Sequence, residues 1–282
     1  MRCCVIYFSQ TGNTRQVAET IQETLAAQAG SCALVRLEDA DPLLVERYDL
    51  IGLGAPAFYF REPYNVQKFL EELPDHSDKP RPFFFFVTHG GTPGAIASRI
   101  SGLAARRGFV ALDFYQCLGY DTYPPFASRV PLSGAGHPDL QDLKNAAAFA
   151  ESVLNKARIF VEEHRSEGCT TPNGLLNRAI AGMFSHRALL RHMRTGLLPR
   201  KNLFKESCTK CGLCAEQCPT NVISLDPYPV FREEDCIACY QCERICPERA
   251  YKNNWVPFKL LTGEYLRQLL SKLFHGQKNP KP

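Results

Sequence analysis

Eight of the thirteen cysteines fall within 39 residues, as Cys208-x2-Cys211-x2-Cys214-x3-Cys218-Pro219 and again as Cys236-x2-Cys239-x2-Cys242-x3-Cys246-Pro247. Spaced this way, they are metal ligands by design of the chain. An x2 spacing lets consecutive thiolates converge on the corners of one centre while the backbone N–H groups between them point at it. Pro219 and Pro247 then turn the chain out of the loop, and Gly212 reads as its one freely bending position. Pairs of C-x2-C also suit tetrahedral zinc. Zinc, however, leaves the third cysteine and the C-P ending of both copies without a purpose, and the doubled triplet favours cubane iron–sulfur clusters.

Residues Leu203 to Ala250 resemble the bacterial two-[4Fe-4S] ferredoxin domain at all eight cysteines and both prolines, with Val222-Ile223 following the first motif. In that family the fourth cysteine of each run reaches across to the other cluster. The resemblance therefore implies Cys208, Cys211, Cys214 and Cys246 on a first cluster, and Cys236, Cys239, Cys242 and Cys218 on a second. It implies one-electron transfer at low potential.

The other chemistry-bearing segment is at the start of the chain. The strand-like run Cys3 to Phe8 leads into Ser9-Gln10-Thr11-Gly12-Asn13-Thr14, and a helical stripe of Val17, Ala18, Ile21 and Leu25 follows. Strand, polar loop and helix together form a phosphate-binding arrangement, because hydroxyls and the unpaired N–H groups of a helix N-terminus surround an anion and the helix dipole favours it. Gly12 lets the backbone come close. The element pattern continues with strands at 33–37, 50–53, 83–87 and 109–118, helices at 65–73 and 94–107, and a last helix over 139–163. Alternating strands and helices predict an α/β fold. Five such strands suit a doubly wound parallel sheet of order 2-1-3-4-5.

The loop Ser9 to Thr14 is similar, residue by residue, to the S/T-x-T-G-N-T phosphate loop of the flavodoxins, and the likeness covers about residues 1–165. It implies FMN. The family's second and third flavin loops fall here on Ala55, Pro56, Ala57, Phe58 and Tyr59, and on Thr88, His89, Gly90, Gly91 and Gly94. The second loop has no tryptophan, so Phe58 or Tyr59 is the expected stacking ring. Gly52-Leu53-Gly54-Ala55-Pro56-Ala57 imitates a dinucleotide fingerprint, but it follows the third strand and its Pro56 makes a poor helix start. No G-x-x-x-x-G-K-[ST] loop is present.

Joined, the two halves are similar to the flavodoxin and ferredoxin fusion proteins of anaerobic bacteria and archaea. The boundaries expected are 1–165 for a flavodoxin-like FMN domain, 166–202 for a linker with a basic amphipathic helix, 203–252 for the two-cluster domain, and 253–282 for an extension with a short amphipathic helix. The insertion Tyr120 to Phe126 after the last strand is expected over the flavin, with Tyr120 and Tyr123 lining it or simply packing. Cys3, Cys4, Cys32, Cys117 and Cys169 lack ligand spacing and read as core thiols.

Charge excludes little else. Residues 1–150 carry 13 Lys and Arg against 16 Asp and Glu, and residues 151–282 carry 20 against 13. Two clusters with their thiolates, each about −2, cancel most of the basic excess, so no nucleic-acid partner is expected. The apolar run at residues 1–8 is too short for a signal peptide, no stretch has the length of a membrane span, and membrane contact is not expected. These features place the chain in the cytoplasm, where thiols stay reduced and thirteen cysteines read as metal ligands more readily than as disulfides. The function these features imply is electron transfer between FMN and two [4Fe-4S] clusters, with redox proteins or a small redox substrate as partners. Two alternatives stay open: a flavin-dependent reductase of a small organic substrate or quinone fed by the clusters, and a ferredoxin-type carrier whose flavodoxin-like half lacks flavin and serves for docking. The catalytic residues of such a reductase are not legible.

Overall fold

The computed structural model describes residues 1–125, 134–163 and 198–261. Their packing falls into two units, one holding the described residues up to Tyr120 and from Gly134, the other holding residues 121–125 and those from 198 onward. The basic segment at 175–197, Cys169 and the apolar residues beyond 261 lie outside the described residues.

In the first unit five parallel strands run β1 (Arg2–Tyr7), β2 (Ser31–Arg36), β3 (Leu50–Pro56), β4 (Arg81–His89) and β5 (Phe109–Leu118). They stand in the order 2-1-3-4-5. Helices α1 (Asn13–Ala29) and α4 (Leu140–Glu163) pack together on the sheet, and α2 (Tyr64–Glu72) packs with α3 (Ile96–Ala105). The fold is a flavodoxin-like doubly wound sheet, as the strand and helix pattern predicts. Its middle is apolar on both faces because β4 carries Phe83, Phe84, Phe85 and Phe86, all buried. Cross-strand pairing sets Gly52 opposite Phe84 and Gly54 opposite Phe86, and a Cβ on either glycine would run into the facing ring. The imitation fingerprint is thus a pair of slots for phenylalanine rings.

Parallel strands put every strand C-terminus at one end of the sheet, so the loops after β1, β3 and β4 gather there. The second strand begins two residues before the expected position, and Leu37 leaves it for a 3₁₀ turn over Leu37–Asp39. Here the buried Leu37 anchors the turn.

Among its described residues the second unit has one hairpin, β6 (Ile223–Asp226) with β7 (Tyr228–Phe231), and three short helices, α5 (Leu213–Glu216), α6 (Gln241–Arg244) and α7 (Val256–Leu261). Residues 121–125 belong to it. The Tyr123 ring meets Tyr240, Trp255 and Phe258 edge-on, with centroids 6.0, 5.3 and 5.8 Å away. Arg244 Nη1 donates to the Thr122 carbonyl at 3.1 Å and to its hydroxyl at 2.7 Å. Tyr123 is thereby an aromatic packing residue of this unit.

Candidate functional site

The phosphate loop is built from both of its ends. Phe8 is buried and its N–H bonds the Gly54 carbonyl, fixing where β1 lets go. Gly12 then takes a left-handed turn (φ 95°) that an L side chain resists, and α1 starts with Gln16 N–H on the Gly12 carbonyl. No side chain caps this helix and its first turn has no acid, so the helix does not itself supply a negative group to its leading amides. Ser9 Oγ accepts from the Gly12 N–H at 3.2 Å. Asn13 Nδ2 donates to the Tyr120 carbonyl at 2.9 Å, and Thr14 Oγ1 shares a buried 2.8 Å hydrogen bond with Thr88 Oγ1. Thr11 is exposed. Gln10 Nε2 is buried without a partner, and nothing stands within 4 Å of a Cβ at Gly12. An orphaned donor beside an open cradle fits a phosphate group.

The three loops are tied to one another. Thr14 and Thr88 join the first to the third, and Ala57 N–H on the Thr88 carbonyl (2.8 Å) joins the second to the third. The second loop is a tight turn in which Phe58 and Arg61 exchange two backbone hydrogen bonds while Tyr59 and Phe60 both take positive φ. Phe58 turns its edge to Phe8 at 6.0 Å, Tyr59 is half-buried, and Phe60 is 64% exposed. Phe60 was not singled out in the sequence because it follows the family's loop positions. Ala95 N–H bonds its carbonyl, linking the end of the third loop to the turn. His89 Nδ1 accepts from the Gly91 N–H at 3.2 Å, and burial pushes the ring's pKa down, so this histidine holds its loop as a neutral ring.

Beneath the second loop, Glu62 is fully buried and Arg99 grips both its oxygens at 2.6–2.9 Å. Arg61 Nη2 lies 3.8 Å from the same carboxylate, and burial pushes this guanidinium down to about 10. Removing one member of such a buried set strands the rest at a cost of about 3–5 kcal/mol. The loop is therefore mounted on α3 by ions that sequence periodicity does not reveal.

In the second unit the backbone repeats as the cysteines do. Lys210, Gly212 and Asn221 have positive φ, and so do Ala238, Tyr240 and Arg249, each 28 residues further on. Gly212 is thus one of six bending positions and the only glycine among them. Runs of left-handed residues turn successive N–H groups inward, a concavity suited to anionic sulfur centres. Ala238 N–H bonds Cys236 Sγ at 3.4 Å and Ala250 N–H bonds Cys246 Sγ at 3.3 Å. Cys208, Cys211, Cys214 and Cys246 line one concavity of ≈ 370 Å³, part of it open to solvent. The fourth cysteine of the second motif thus joins the three of the first. Cys236, Cys239 and Cys242 are electrostatic neighbours of one another.

The spacing of these sulfurs bears on the metal. Among the described residues, His137, Asp139 and Asp142 alone bring three ligand atoms within 4.8 Å of one another. Four thiolates around zinc at about 2.3 Å would stand ~3.8 Å apart. Among the described residues no three cysteine sulfurs meet that 4.8 Å spacing. Two residues beside them carry no motif signal. Tyr251 directs its buried hydroxyl at Cys214, and Lys201 bonds the Cys236 sulfur.

The remaining described thiols are of another kind. Burial pushes Cys3 up to about 11 and Cys4 and Cys117 up to about 12, and it raises Cys32 further. They are neutral packing groups.

A family profile described as "Flavodoxin domain" matches residues 4–106, and one described as "4Fe-4S dicluster domain" matches residues 207–250. An uncharacterized protein of Methanocaldococcus jannaschii is 29% identical over 157 residues, 55% of this chain and 99% of its own length. The methylamine utilization ferredoxin-type protein MauM of Methylophilus methylotrophus is 31% identical over 117 residues, 37% of this chain and half of that protein. Among solved structures, a flavodoxin from the domain Archaea aligns with a TM-score of 0.43 at 16% identity, covering 56% of this chain and 99% of its own. Oxidised flavodoxin 2 from Bacillus cereus aligns at 0.42 and 18%, covering 55% and 99%. The chain joins an N-terminal flavodoxin domain to a C-terminal 4Fe-4S dicluster domain. It is an electron-transfer protein with iron–sulfur and flavin-type domains on one polypeptide. Among the described residues no helix is long and apolar enough to cross a membrane.

Proposed function

We propose that the chain passes electrons between one FMN and two [4Fe-4S] clusters, exchanging them with a redox protein or a small redox substrate in the cytoplasm. The observation that carries this reading is the pairing of a phosphate cradle with an orphaned Gln10 amide and a cysteine set completed across the repeat by Cys246. The flavin would exchange electrons in pairs or singly, and the clusters would move them singly. Ser9, Gln10, Thr11, Gly12, Asn13 and Thr14 would bind the phosphate, and Thr88 would hold Thr14 in place through their shared hydrogen bond. Tyr59, half-buried beside the Phe58 that packs on Phe8, is the ring offered to the isoalloxazine. Cys218 stands 28 residues before Cys246 and would complete the second cysteine set by the same crossing.

Both groups on one polypeptide give each a high effective concentration at the other. Rapid photoreduction of the flavin, followed by absorbance, tests the relay. Flavin reoxidation is expected to coincide with cluster bleaching, at a first-order rate independent of protein concentration. A rate proportional to concentration would mean that electrons move between molecules and would remove the relay.

A further inference from the structure

The repeat of the second unit is uneven at one place. Lys201 and Pro229 each stand seven residues ahead of the first cysteine of a motif. Pro229 lines the concavity of Cys208, Cys211, Cys214 and Cys246 and brings no charge to it. Lys201 is only 5% exposed. Its Nζ lies 5.2 Å from the Phe231 ring centroid and 5.5 Å from that of Tyr240, which stands between Cys239 and Cys242. It donates to the Cys236 sulfur, with Cys242 also within electrostatic reach. Its carboxylate neighbour, Glu233 at 3.7 Å, is 51% exposed, so water weakens but does not abolish the offset it makes to the lysine charge.

We propose that Lys201 makes the two clusters an ordered pair, setting the reduction potential of the one held by Cys236, Cys239 and Cys242 above that of the one held by Cys208, Cys211 and Cys214. The inference rests on the two-cluster reading above. Reduction adds one electron and one negative charge without making or breaking a bond. A buried cation hydrogen-bonded to a ligand sulfur stabilises that added charge more than it stabilises the oxidised centre. The other cysteine set has the neutral Tyr251 beside Cys214, and the charged residues that line it, Lys210 and Glu248, are both exposed and opposite in sign. A charge-assisted hydrogen bond is roughly twice as strong as a neutral one, so the balance favours the Lys201 side. An electron entering the pair then comes to rest on the Cys236 side.

Full-length protein purified without oxygen tests this, with Lys201→Gln, Lys201→Arg and Glu233→Gln. Each is titrated with reductant and followed by electron paramagnetic resonance and by the shifted cysteine β-proton signals, which report the clusters separately. Lys201→Gln is expected to lower the midpoint of the Cys236, Cys239 and Cys242 cluster alone, Lys201→Arg to retain it, and Glu233→Gln to raise it. Unchanged midpoints, or equal shifts in both clusters, would overturn the assignment. If Lys201→Gln fails to assemble, Glu233→Gln decides, and no rise there overturns the assignment equally. A wild-type chain that holds zinc or a single cluster would instead sink the two-cluster reading on which this rests.

Discussion

Thr11 is the exposed member of a loop in which Ser9, Asn13 and Thr14 are committed to hydrogen bonds within the fold. Ser9 holds Gly12, Asn13 holds Tyr120, and Thr14 holds Thr88. A change at Thr11 leaves those three hydrogen bonds in place. Thr11→Glu places a carboxylate where a phosphate dianion is expected, at a helix N-terminus with no acid of its own. The variant is expected to lose its flavin on desalting while its iron content stays at the wild-type level, both measured by absorbance and metal analysis. Flavin retained at wild-type stoichiometry would move the site elsewhere. Unlike Thr11, the Thr14 and Thr88 hydroxyls are buried, and their pairing carries no sequence signal because 74 residues separate them.

Elements differ in how plainly the sequence announces them. The strand order follows from alternating apolar runs and glycine- or proline-marked turns, and both cysteine loops follow from spacing alone. Left-handed backbone at Lys210, Ala238 and Tyr240 does not, because side chains of those types ordinarily avoid it and only the fold imposes it. Nor does the assignment of residues 121–125 to the second unit, which is made by Tyr123 and Thr122 meeting residues more than a hundred positions away. The start of α4 shows a signal of a third kind. Asp139 and Asp142 exchange reciprocal hydrogen bonds at the helix N-terminus, and His137 Nδ1 meets Asp142 Oδ2 at 2.5 Å. That hydrogen bond is the main cause holding the His137 pKa above its ordinary 6.5. Because the folded value is the raised one, this support is fully present below the ordinary value and is lost as pH rises through the folded one. Proton NMR is expected to give a His137 midpoint above 6.5. His137→Gln is expected to speed amide exchange at Leu143, relative to wild type, below that midpoint and not above it. A midpoint at or below 6.5 would contradict the hydrogen bond.

The two halves of the molecule are held by different means. The first has a sheet core of fully buried Phe, Ile, Leu and Val side chains. Among the described residues of the second, the buried hydrophobic groups are few, among them Val222, Ile237, Tyr240, Tyr251 and Trp255, and two are themselves motif cysteines, Cys236 and Cys242. So small a core ordinarily needs a metal to fold. Stripping the iron under reducing conditions is expected to collapse the dispersed NMR signals of Val222 and Ile237 while those of Ile6 and Phe85 persist. An iron-free chain with both sets intact would show that the second half folds on side chains alone.

The contrast between the two sorts of thiol makes air a selective reagent. Cys3, Cys4, Cys32 and Cys117 are kept protonated by burial, and a protonated thiol is a poor nucleophile. The eight motif cysteines would be shielded only while clusters hold them, and once bare they would be open to oxidation up to sulfinic acid. Oxygen damage among the described cysteines is thus confined to one end of the chain. An alkylating label applied over time is expected to lose sites at the C-terminal motifs first, and so to read the protein's age from that end.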